Sequence, residues 1–370
     1  MRLSCPAKIN LHLRVGRRRE RDGFHPLLTW MTTVGLFDRL TVEARPHQGG
    51  AADHATRETG TAASDAARDE QLPPGLERAG AAQAGILLLS SNVPGLSSGA
   101  DNLVVRAAEA LAAAIAKAHD RVGEGANVVG PAAAQPTRDG GEANRVTAAH
   151  VMAVGALLEK AIPLGAGLGG GSSDAARTLQ GLNAMWRAEL PVGRLAEIAA
   201  RLGSDVPFFL HAASAVCAGR GEVVNPVAPP ATARWAVLVL PNVHMPTADV
   251  YRRFDEMDLG FDDMIDRPPD WHEWARRPAE QLLPVLVNDL EHPAFDIRPD
   301  LDALRRDIEL VISRPVRLSG SGSSLFTLFD AEAPAVEAAA EVNARFGVRT
   351  FVAGVAPELR DDLNTNFAQP

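Results

Sequence analysis

Residues 163–174 read Pro-Leu-Gly-Ala-Gly-Leu-Gly-Gly-Gly-Ser-Ser-Asp, with five glycines in the seven positions 165–171. Glycine has no Cβ, so such a loop adopts positive φ and lets a ligand approach its main chain. Apolar residues then recur at helical spacing over 175–186, which predicts a helix opened by residues 172–174. A glycine loop leading into a helix presents unpaired N–H groups and a positive dipole end to one point. The stretch therefore predicts a phosphate-binding loop.

Two familiar patterns almost fit this loop. Gly165, Gly167 and Gly170 satisfy the dinucleotide pattern G-x-G-x-x-G, and Glu189 lies at a suitable distance to bind a ribose, but no strand precedes it. The Walker pattern also fits, except that Gly171 stands where its lysine must be. A loop that binds phosphate without that lysine needs a cation from elsewhere in the chain.

Composition limits the class of protein. A chain of 370 residues with a net charge of −9 is long enough for two domains, and its acidity argues against a general nucleic-acid or membrane-surface binder. Cys5 and Cys217 form no disulfide framework, and no apolar run is long enough to span a bilayer. We expect a cytoplasmic protein that binds small molecules, as a monomer or a weak homodimer.

Strand and helix patterns alternate along the chain. Residues 7–15 alternate apolar and polar side chains, as expected of a half-buried strand. Segments 47–83 and 121–147 are rich in Ala and Gly without periodicity; the first is interpreted as an insertion or mobile loop and the second as a disordered insertion. Further strands are predicted at 27–36, 39–44, 86–90, 151–158, 235–240, 316–318, 325–328 and 349–353. Helices are predicted at 103–118, capped by Asp101 or Asn102, at 192–202, ending at a C′ glycine, Gly203, and at 302–310 and 334–346.

These elements indicate an α+β protein. The linker Asn-Pro-Val-Ala-Pro-Pro at 225–230 predicts a boundary near residue 225, between an N-terminal domain at 1–225 and a C-terminal domain at 226–370.

Four ordered motifs resemble one superfamily. They are Pro-Ala-Lys-Ile-Asn-Leu at 6–11, Asp-Gly-Phe-His at 22–25, the glycine loop, and Gly-Ser-Asp-Val-Pro-Phe-Phe at 203–209; Ser-Gly-Ser-Gly-Ser at 319–323 lies near the end. Together they resemble the galactokinase, homoserine, mevalonate and phosphomevalonate (GHMP) kinases. Within these, they are most similar to the 4-diphosphocytidyl-2-C-methyl-D-erythritol kinase family.

The resemblance implies a two-domain GHMP kinase fold. It also implies an N-terminal ATP-binding and catalytic domain like domain 2 of ribosomal protein S5, and a C-terminal GHMP kinase domain formed by a ferredoxin-like α/β sandwich. The implied reaction moves a phosphoryl group from ATP to a hydroxyl of cytidine diphosphate-linked methylerythritol, in the non-mevalonate route to isoprenoid precursors. The only metal it implies is Mg²⁺ carried with ATP, and no zinc spacing of Cys and His occurs.

The resemblance also assigns catalytic roles. Asp205 matches the family's proposed base, although an Asp after Gly203 is by itself more often a turn or cap residue. Lys8 matches the neighbouring lysine and supplies the cation that the glycine loop lacks, although a strand lysine is usually just exposed. Phosphoryl transfer needs such charge neutralisation and a group that takes the hydroxyl proton.

Binding residues follow from the same motifs. The ATP-binding residues implied are Pro163, Leu164, Gly165, Ala166, Gly167, Leu168, Gly169, Gly170, Gly171, Ser172, Ser173, Gly320 and Gly322. The substrate-binding residues implied are Asn10, Phe24, His25, Thr247 and Tyr251. Phe24 stands where the family usually has tyrosine, so stacking is retained and any hydroxyl hydrogen bond is lost. A loop histidine such as His25 is otherwise more often solvated, and Tyr251 could simply pack.

Rival functions are an oxidoreductase, supported only by G-x-G-x-x-G, a silent sensor on the same scaffold, and another kinase of the superfamily. Retention of both Lys8 and Asp205 argues against the sensor.

Overall fold

The computed structural model describes residues 1–45, 86–124, 151–211 and 213–363. The predicted insertion at 47–83 lies outside the described residues, as does the predicted insertion at 121–147 except for its first four residues, which end a helix. In the first half the elements are β1 (Arg2–Val15), β2 (Leu27–Ala44), β3 (Leu87–Ser91), α1 (Leu103–Glu124), β4 (Val154–Glu159), α2 (Gly170–Met185), α3 (Val192–Leu202), α4 (Phe208–His211), β5 (Ser214–Ala218) and β6 (Val223–Pro226).

The second half begins at β7 and alternates strands with short helices. Its elements are β7 (Trp235–Leu240), α5 (Thr247–Glu256), α6 (Trp271–Arg276), α7 (Ala279–Leu282), α8 (Glu291–Ile297), α9 (Pro299–Ile312), β8 (Arg317–Leu318), β9 (Leu325–Phe329), α10 (Glu332–Phe346) and β10 (Arg349–Gly354).

The described strands of the first half form one six-stranded sheet of order β3-β4-β2-β5-β6, with β1 antiparallel to β2. β2 runs continuously through the two strands predicted at 27–36 and 39–44, because its first part pairs with β5 and its last part with β4. Helices α1, α2 and α3 pack against this sheet through a core that includes Leu111, Leu179 and Ile198.

β1 is buried on both faces, so the prediction of a half-buried strand is wrong. Lys8, Asn10 and His12 are each no more than 5% exposed, although they alternate with apolar residues. The polar face of β1 is covered by the glycine loop and by segments of the second half, and Leu13 forms a bridge with Asn288. Buried polar side chains need partners, which makes this face a candidate for function.

The described strands of the second half form an antiparallel sheet of order β10-β7-β9-β8. When these four strands are numbered in sequence order, their order in the sheet is 4-1-3-2. The connections between them follow the β-α-β-β-α-β pattern of ferredoxin-like folds. α10 packs on the sheet through Ala335 and Val342, and the sheet's other face shares a core with β1 through Leu238 and Phe326.

Two helix ends lie where the sequence predicted caps. Asn102 Oδ1 accepts a hydrogen bond from Val104 N at 2.9 Å, as expected of a cap at the start of α1. α3 ends at Leu202 and Gly203 follows it, as predicted, but the backbone of Gly203 is extended, φ 176°, and lacks the left-handed conformation typical of a C′ glycine.

The two halves are connected at several points. The backbone N–H of Arg2 donates to Asp362 at 2.7 Å, and Arg177 in α2 pairs with Asp361, so the end of the described chain lies against the first sheet. The division near residue 225 therefore stays a prediction, although β6 ends at Pro226 and β7 opens the second sheet.

Candidate active site

A cavity of about 390 Å³ lies where β1, the glycine loop, α5 and the loop between β8 and β9 meet. It brings together residues that are far apart in the sequence. Of the predicted site residues, the cavity is lined by Lys8, Asn10, Pro163, Leu164, Gly165, Ala166, Gly167, Gly169, Gly170, Gly171, Ser172, Asp205, Thr247, Tyr251 and Gly320. Leu168, Ser173 and Gly322 do not line it, and Leu168 and Ser173 are buried behind the loop.

The glycine loop, residues 163–171, has the backbone geometry of an anion cradle. Gly165, Gly167 and Gly169 all have positive φ, and α2 starts directly after them at Gly170. The first-turn N–H groups of α2 have no acceptor within the helix, and the residues that carry them line the cavity. The helix therefore directs both free donors and its positive dipole end towards this space.

A second loop, Ser319–Ser324, closes against the glycine loop; we call it the Ser/Gly loop. The Ser319 hydroxyl donates to Gly167 O at 3.0 Å, and Ser324 N donates to Ala166 O at 3.1 Å. A Cβ on Gly167 would lie 2.2 Å from Ser319 O, so only glycine allows the two backbones to approach this closely.

Lys8 projects from β1 between these loops. Its backbone N–H donates to Leu168 O at 2.9 Å, and its Nζ donates to Asn10 Oδ1 at 2.5 Å. Nζ also lies 3.4 Å from Asp205 Oδ2. Asn10 is held in turn by donating from Nδ2 to the Thr29 hydroxyl at 2.9 Å. The result is a buried ammonium group at the mouth of the glycine loop, with a carboxylate beside it.

Asp205 lies between α3 and α4, and about a third of its side chain is exposed. Its carboxylate lines the first cavity and also a second one, of about 580 Å³. Burial, with a contribution from the negative charge of Asp205, raises the pKa of the Tyr251 phenol, so this hydroxyl stays protonated. Asp205 thus borders both spaces.

The second cavity is lined by Phe24, His25 and Tyr251, and Thr247 belongs to both cavities. The Tyr251 ring lies 5.3 Å from the His25 ring at an interplanar angle of 41°. Phe24 is 47% exposed, so one of the few aromatic rings of the chain is presented to the cavity. The aromatic cavity adjoins the cavity of the glycine loop at Asp205.

His25 is buried, and both of its ring nitrogens have protein partners. Nδ1 lies 2.9 Å from Gly16 O, and Nε2 lies 3.2 Å from Asp255 Oδ1. The implied role of His25 in substrate binding stays a prediction, and a ring nitrogen of His25 would bind a ligand only by exchanging one of these partners.

Comparison with known proteins identifies the family. The profile described as GHMP kinases N terminal domain matches residues 138–213. A 4-diphosphocytidyl-2-C-methyl-D-erythritol kinase of Nocardioides sp. (strain ATCC BAA-499 / JS614) is 33% identical over 332 residues, which cover 86% of this chain and 85% of the relative. The chain belongs to the 4-diphosphocytidyl-2-C-methyl-D-erythritol kinase family. A relative of the same name from Synechococcus sp. (strain CC9902) is 32% identical and covers 92% of this chain and 91% of its own.

A solved structure supports the same family. The crystal structure of a 4-(cytidine 5'-diphospho)-2C-methyl-D-erythritol kinase superposes with a TM-score of 0.63 at 30% identity, covering 96% of this chain and 99% of the other. The predicted GHMP kinase fold is therefore confirmed, as is the family suggested by the four motifs. The oxidoreductase alternative is excluded by membership of this kinase family.

A buried charge cluster beneath the glycine loop was missed in the sequence. Lys160 Nζ contacts the Asp38 carboxylate and lies 2.7 Å from Asp174 Oδ2. Asp38 also accepts from the backbone N–H groups of Ala161 and Ile162 at 2.6 and 2.8 Å. Lys160 precedes the glycine loop and Asp174 follows it, so one cluster fixes both ends of the loop. In the sequence, the signal was an Asp inside an apolar strand.

The electrostatics of this cluster follow from its burial. Burial raises the pKa of Asp174 to about 7, although the Lys160 ammonium acts in the opposite direction. Burial also opposes the charge of Lys160, but the carboxylates of Asp174 and Asp38 outweigh it and raise the pKa of the ammonium. Lys160 is therefore charged at neutral pH and compensates the carboxylates around it.

A third cavity, of about 470 Å³, adjoins the glycine loop at Leu164 and Gly171 and is lined by Pro94, Ser97 and Asn102. The sequence did not predict it, because the segment before α1 carries no motif.

Two further observations concern metals and membranes. Among residues 1–45, 86–124, 151–211 and 213–363, no group of three or more His, Cys, Asp or Glu side chains could hold a metal ion. No helix within those ranges is both long enough and apolar enough to cross a lipid bilayer.

Proposed function

We propose that this protein transfers the γ-phosphoryl group of ATP to a hydroxyl of 4-diphosphocytidyl-2-C-methyl-D-erythritol, in the non-mevalonate route to isoprenoid precursors. The observation that carries the proposal is the Lys8–Asp205 pair, 3.4 Å apart, where the two cavities meet. A phosphate cradle lies on one side of this pair and an aromatic pocket on the other. A kinase needs its donor and acceptor in this arrangement, because the reacting groups must approach in line.

The arrangement of these residues supports the following assignment of binding and catalytic roles. The glycine loop and the Ser/Gly loop bind the phosphates of ATP, which enters as its Mg²⁺ complex, and the third cavity takes the nucleoside. The acceptor hydroxyl oxygen bonds to the γ-phosphorus while the bond from phosphorus to the β,γ-bridging oxygen breaks. Asp205 accepts the hydroxyl proton, Lys8 stabilises the negative charge of the transferring group, and ADP leaves.

Asn10 has a supporting role in this proposal. It lies two residues from Lys8 on the same face of β1 and accepts a hydrogen bond from the Lys8 ammonium. Its contact with Thr29 fixes its orientation. Asn10 therefore holds Lys8 in place and borders the position of the acceptor hydroxyl.

The test is a coupled assay of ADP formation with and without the diphosphocytidyl substrate, with the product identified by mass spectrometry. We expect ADP release only when the substrate is present, and one added phosphoryl group in the product. Mevalonate, homoserine and methylerythritol without the cytidine diphosphate serve as comparison acceptors. Faster phosphorylation of any of these would overturn the substrate assignment, and no turnover with any acceptor would favour a silent scaffold.

Replacing Tyr251 with Ala tests the aromatic pocket. We propose that cytosine stacks between the rings of Phe24 and Tyr251, which line the same cavity. Base–aromatic stacking contributes roughly 1–3 kcal/mol, so Tyr251→Ala should raise the KM for the cytidine substrate about tenfold or more. The KM for ATP should stay unchanged. Tyr251→Phe is the matched control and should behave like the wild type, whereas equal weakening of both substrates would refute the stacking.

We also propose that the enzyme acts in the cytoplasm as a monomer or weak homodimer, without nucleic-acid or membrane partners. The net charge of −9 supports the absence of nucleic-acid and anionic-membrane partners, because such surfaces repel an acidic protein. Light scattering during size-exclusion chromatography would reveal a stable higher oligomer if one formed.

A further inference from the structure

Arg220 lies on a tight turn at the edge of the aromatic cavity. The turn connects β5 to β6, and Gly219 and Gly221 flank Arg220 with φ of 73° and 113°. Gly219 O accepts a hydrogen bond from Leu27 N at 2.9 Å, which ties the turn to β2. A Cβ on Gly221 would lie 3.8 Å from Asp205 Oδ1, so the turn also packs beside the proposed base. These contacts hold Arg220 at a defined place in the site.

The guanidinium group of Arg220 stacks on Phe24. Its Cζ lies 4.7 Å from the ring centroid, and Nε lies 3.5 Å from Glu222 Oε1. The other oxygen of Glu222 accepts from the backbone N–H of Arg220 at 2.5 Å. Stacking on an aromatic face leaves the in-plane N–H groups of arginine free to bind an oxyanion, and it reduces the side-chain entropy lost on binding.

Three arginines line this cavity, and they differ in their partners. Arg252 is 2.8 Å from Asp249 and mostly exposed. Arg18 donates from Nε to Gly23 O at 2.9 Å and lies 3.7 Å from Asp255. Only Arg220 is placed by its turn beside Asp205 and by its stacking beside Phe24.

We propose that Arg220 binds the diphosphate of the acceptor substrate and so determines its preference for a cytidine diphosphate over a shorter cytidine derivative. This proposal rests on the proposed function. In the substrate, the diphosphate connects the cytidine to the hydroxyl-bearing group. In the protein, Arg220 stacks on the Phe24 ring, proposed to stack on cytosine, and the turn that carries it packs beside Asp205, proposed to receive the hydroxyl proton. The order of groups in the ligand matches the order of residues in the site.

The chemistry of arginine suits this role. Guanidinium binds phosphate oxygens through two parallel hydrogen bonds, and these charge-assisted bonds are stronger than neutral ones. The 3.5 Å contact with Glu222 is too long for a strong hydrogen bond, so the N–H groups of Arg220 can turn to a phosphate. The Lys8 ammonium already faces Asp205 and Asn10, which leaves Arg220 as the cation placed for the acceptor's own diphosphate.

Calorimetric titration with cytidine, CMP and CDP tests the proposal without turnover. In the wild type we expect affinity to rise from cytidine to CDP. Arg220→Ala should weaken CDP binding by about ten- to a hundredfold, the effect of losing a hydrogen bond to a charged group, and should weaken cytidine binding much less. The measured quantity is the ratio of the two affinities, because loss of stacking support for Phe24 would weaken both ligands equally.

Two variants complete the experiment. Arg220→Lys keeps the charge without the planar pair of donors and should recover part of the CDP preference. Arg252→Ala removes an arginine from the same cavity and should leave the ratio unchanged. The proposal would be overturned if Arg220→Ala left the ratio of CDP affinity to cytidine affinity unchanged. It would also be overturned if Arg252→Ala lowered this ratio as much as Arg220→Ala does. If wild-type protein bound none of the three ligands, the proposed function itself would fail.

Discussion

Asp205→Asn is expected to lower kcat by about 10²–10⁴-fold, the range typical of a lost general base. The amide keeps the size of the carboxylate but cannot accept the hydroxyl proton. Because the glycine loop and the Ser/Gly loop are untouched, the dissociation constant for ATP should stay near that of the wild type. Single-turnover kinetics with labelled ATP would separate this loss from slow product release.

Asp307→Asn is a suitable control for this change. Asp307 is exposed on α9, so the same substitution there should leave kcat unchanged. The catalytic role of Asp205 would be refuted if the purified Asp205→Asn variant, free of wild-type enzyme, turned over at nearly the normal rate. A loss of ATP binding as large as the loss of kcat would instead indicate that Asp205 supports the loops.

Motifs with strong local constraints were predictable from the sequence. The glycine spacing specified a loop with positive φ that leads into a helix, and the structure has this geometry at Gly165, Gly167 and Gly169. Backbone requirements of this kind are local, so they can be deduced without knowledge of the tertiary fold. The four strands of the second half and helices α9 and α10 were predictable for the same reason, because each carries its own periodicity, whereas helices α5 to α8 were not predicted.

Features that depend on distant segments were not predictable from local patterns. The polar face of β1 has the alternation of a solvent-exposed surface, yet Lys8 and Asn10 are buried by loops more than 150 residues away. Arg220 gave no signal either, because its position depends on packing of its turn against Asp205 and on Phe24. Alternation shows which side chains share a face, but it cannot show what covers that face.

The cluster of Lys160, Asp38 and Asp174 is a stronger example of a feature that local sequence patterns do not predict. Its three residues lie in β2, directly after β4 and in α2, and each has an ordinary structural explanation when considered alone. Their importance is evident only from their burial together, because charges that are removed from water must be paired. The cluster therefore leads to a prediction about folding that the sequence motifs did not suggest.

Lys160→Met is expected to lower the free energy of unfolding by about 3–5 kcal/mol at pH 7, the usual effect of removing one partner from a buried ion pair. Methionine fills a similar volume, so the loss arises from the two uncompensated carboxylates rather than from a cavity. Urea denaturation followed by circular dichroism would measure it. Lys117→Met makes the same change at an exposed position of α1 and should alter stability by less than about 0.5 kcal/mol.

The pH dependence of this loss identifies its cause. Without Lys160, the buried carboxyl of Asp174 loses the cation that lowers its pKa, so this pKa in the folded protein rises further above its unfolded value. A carboxyl with a raised folded pKa binds more protons when folded, and its folded state gains stability as the pH falls through that window. The difference between Lys160→Met and the wild type should therefore shrink from pH 8 to about pH 5. A difference that stayed constant with pH would assign the loss to packing, and the cluster would then have no electrostatic role in holding the glycine loop.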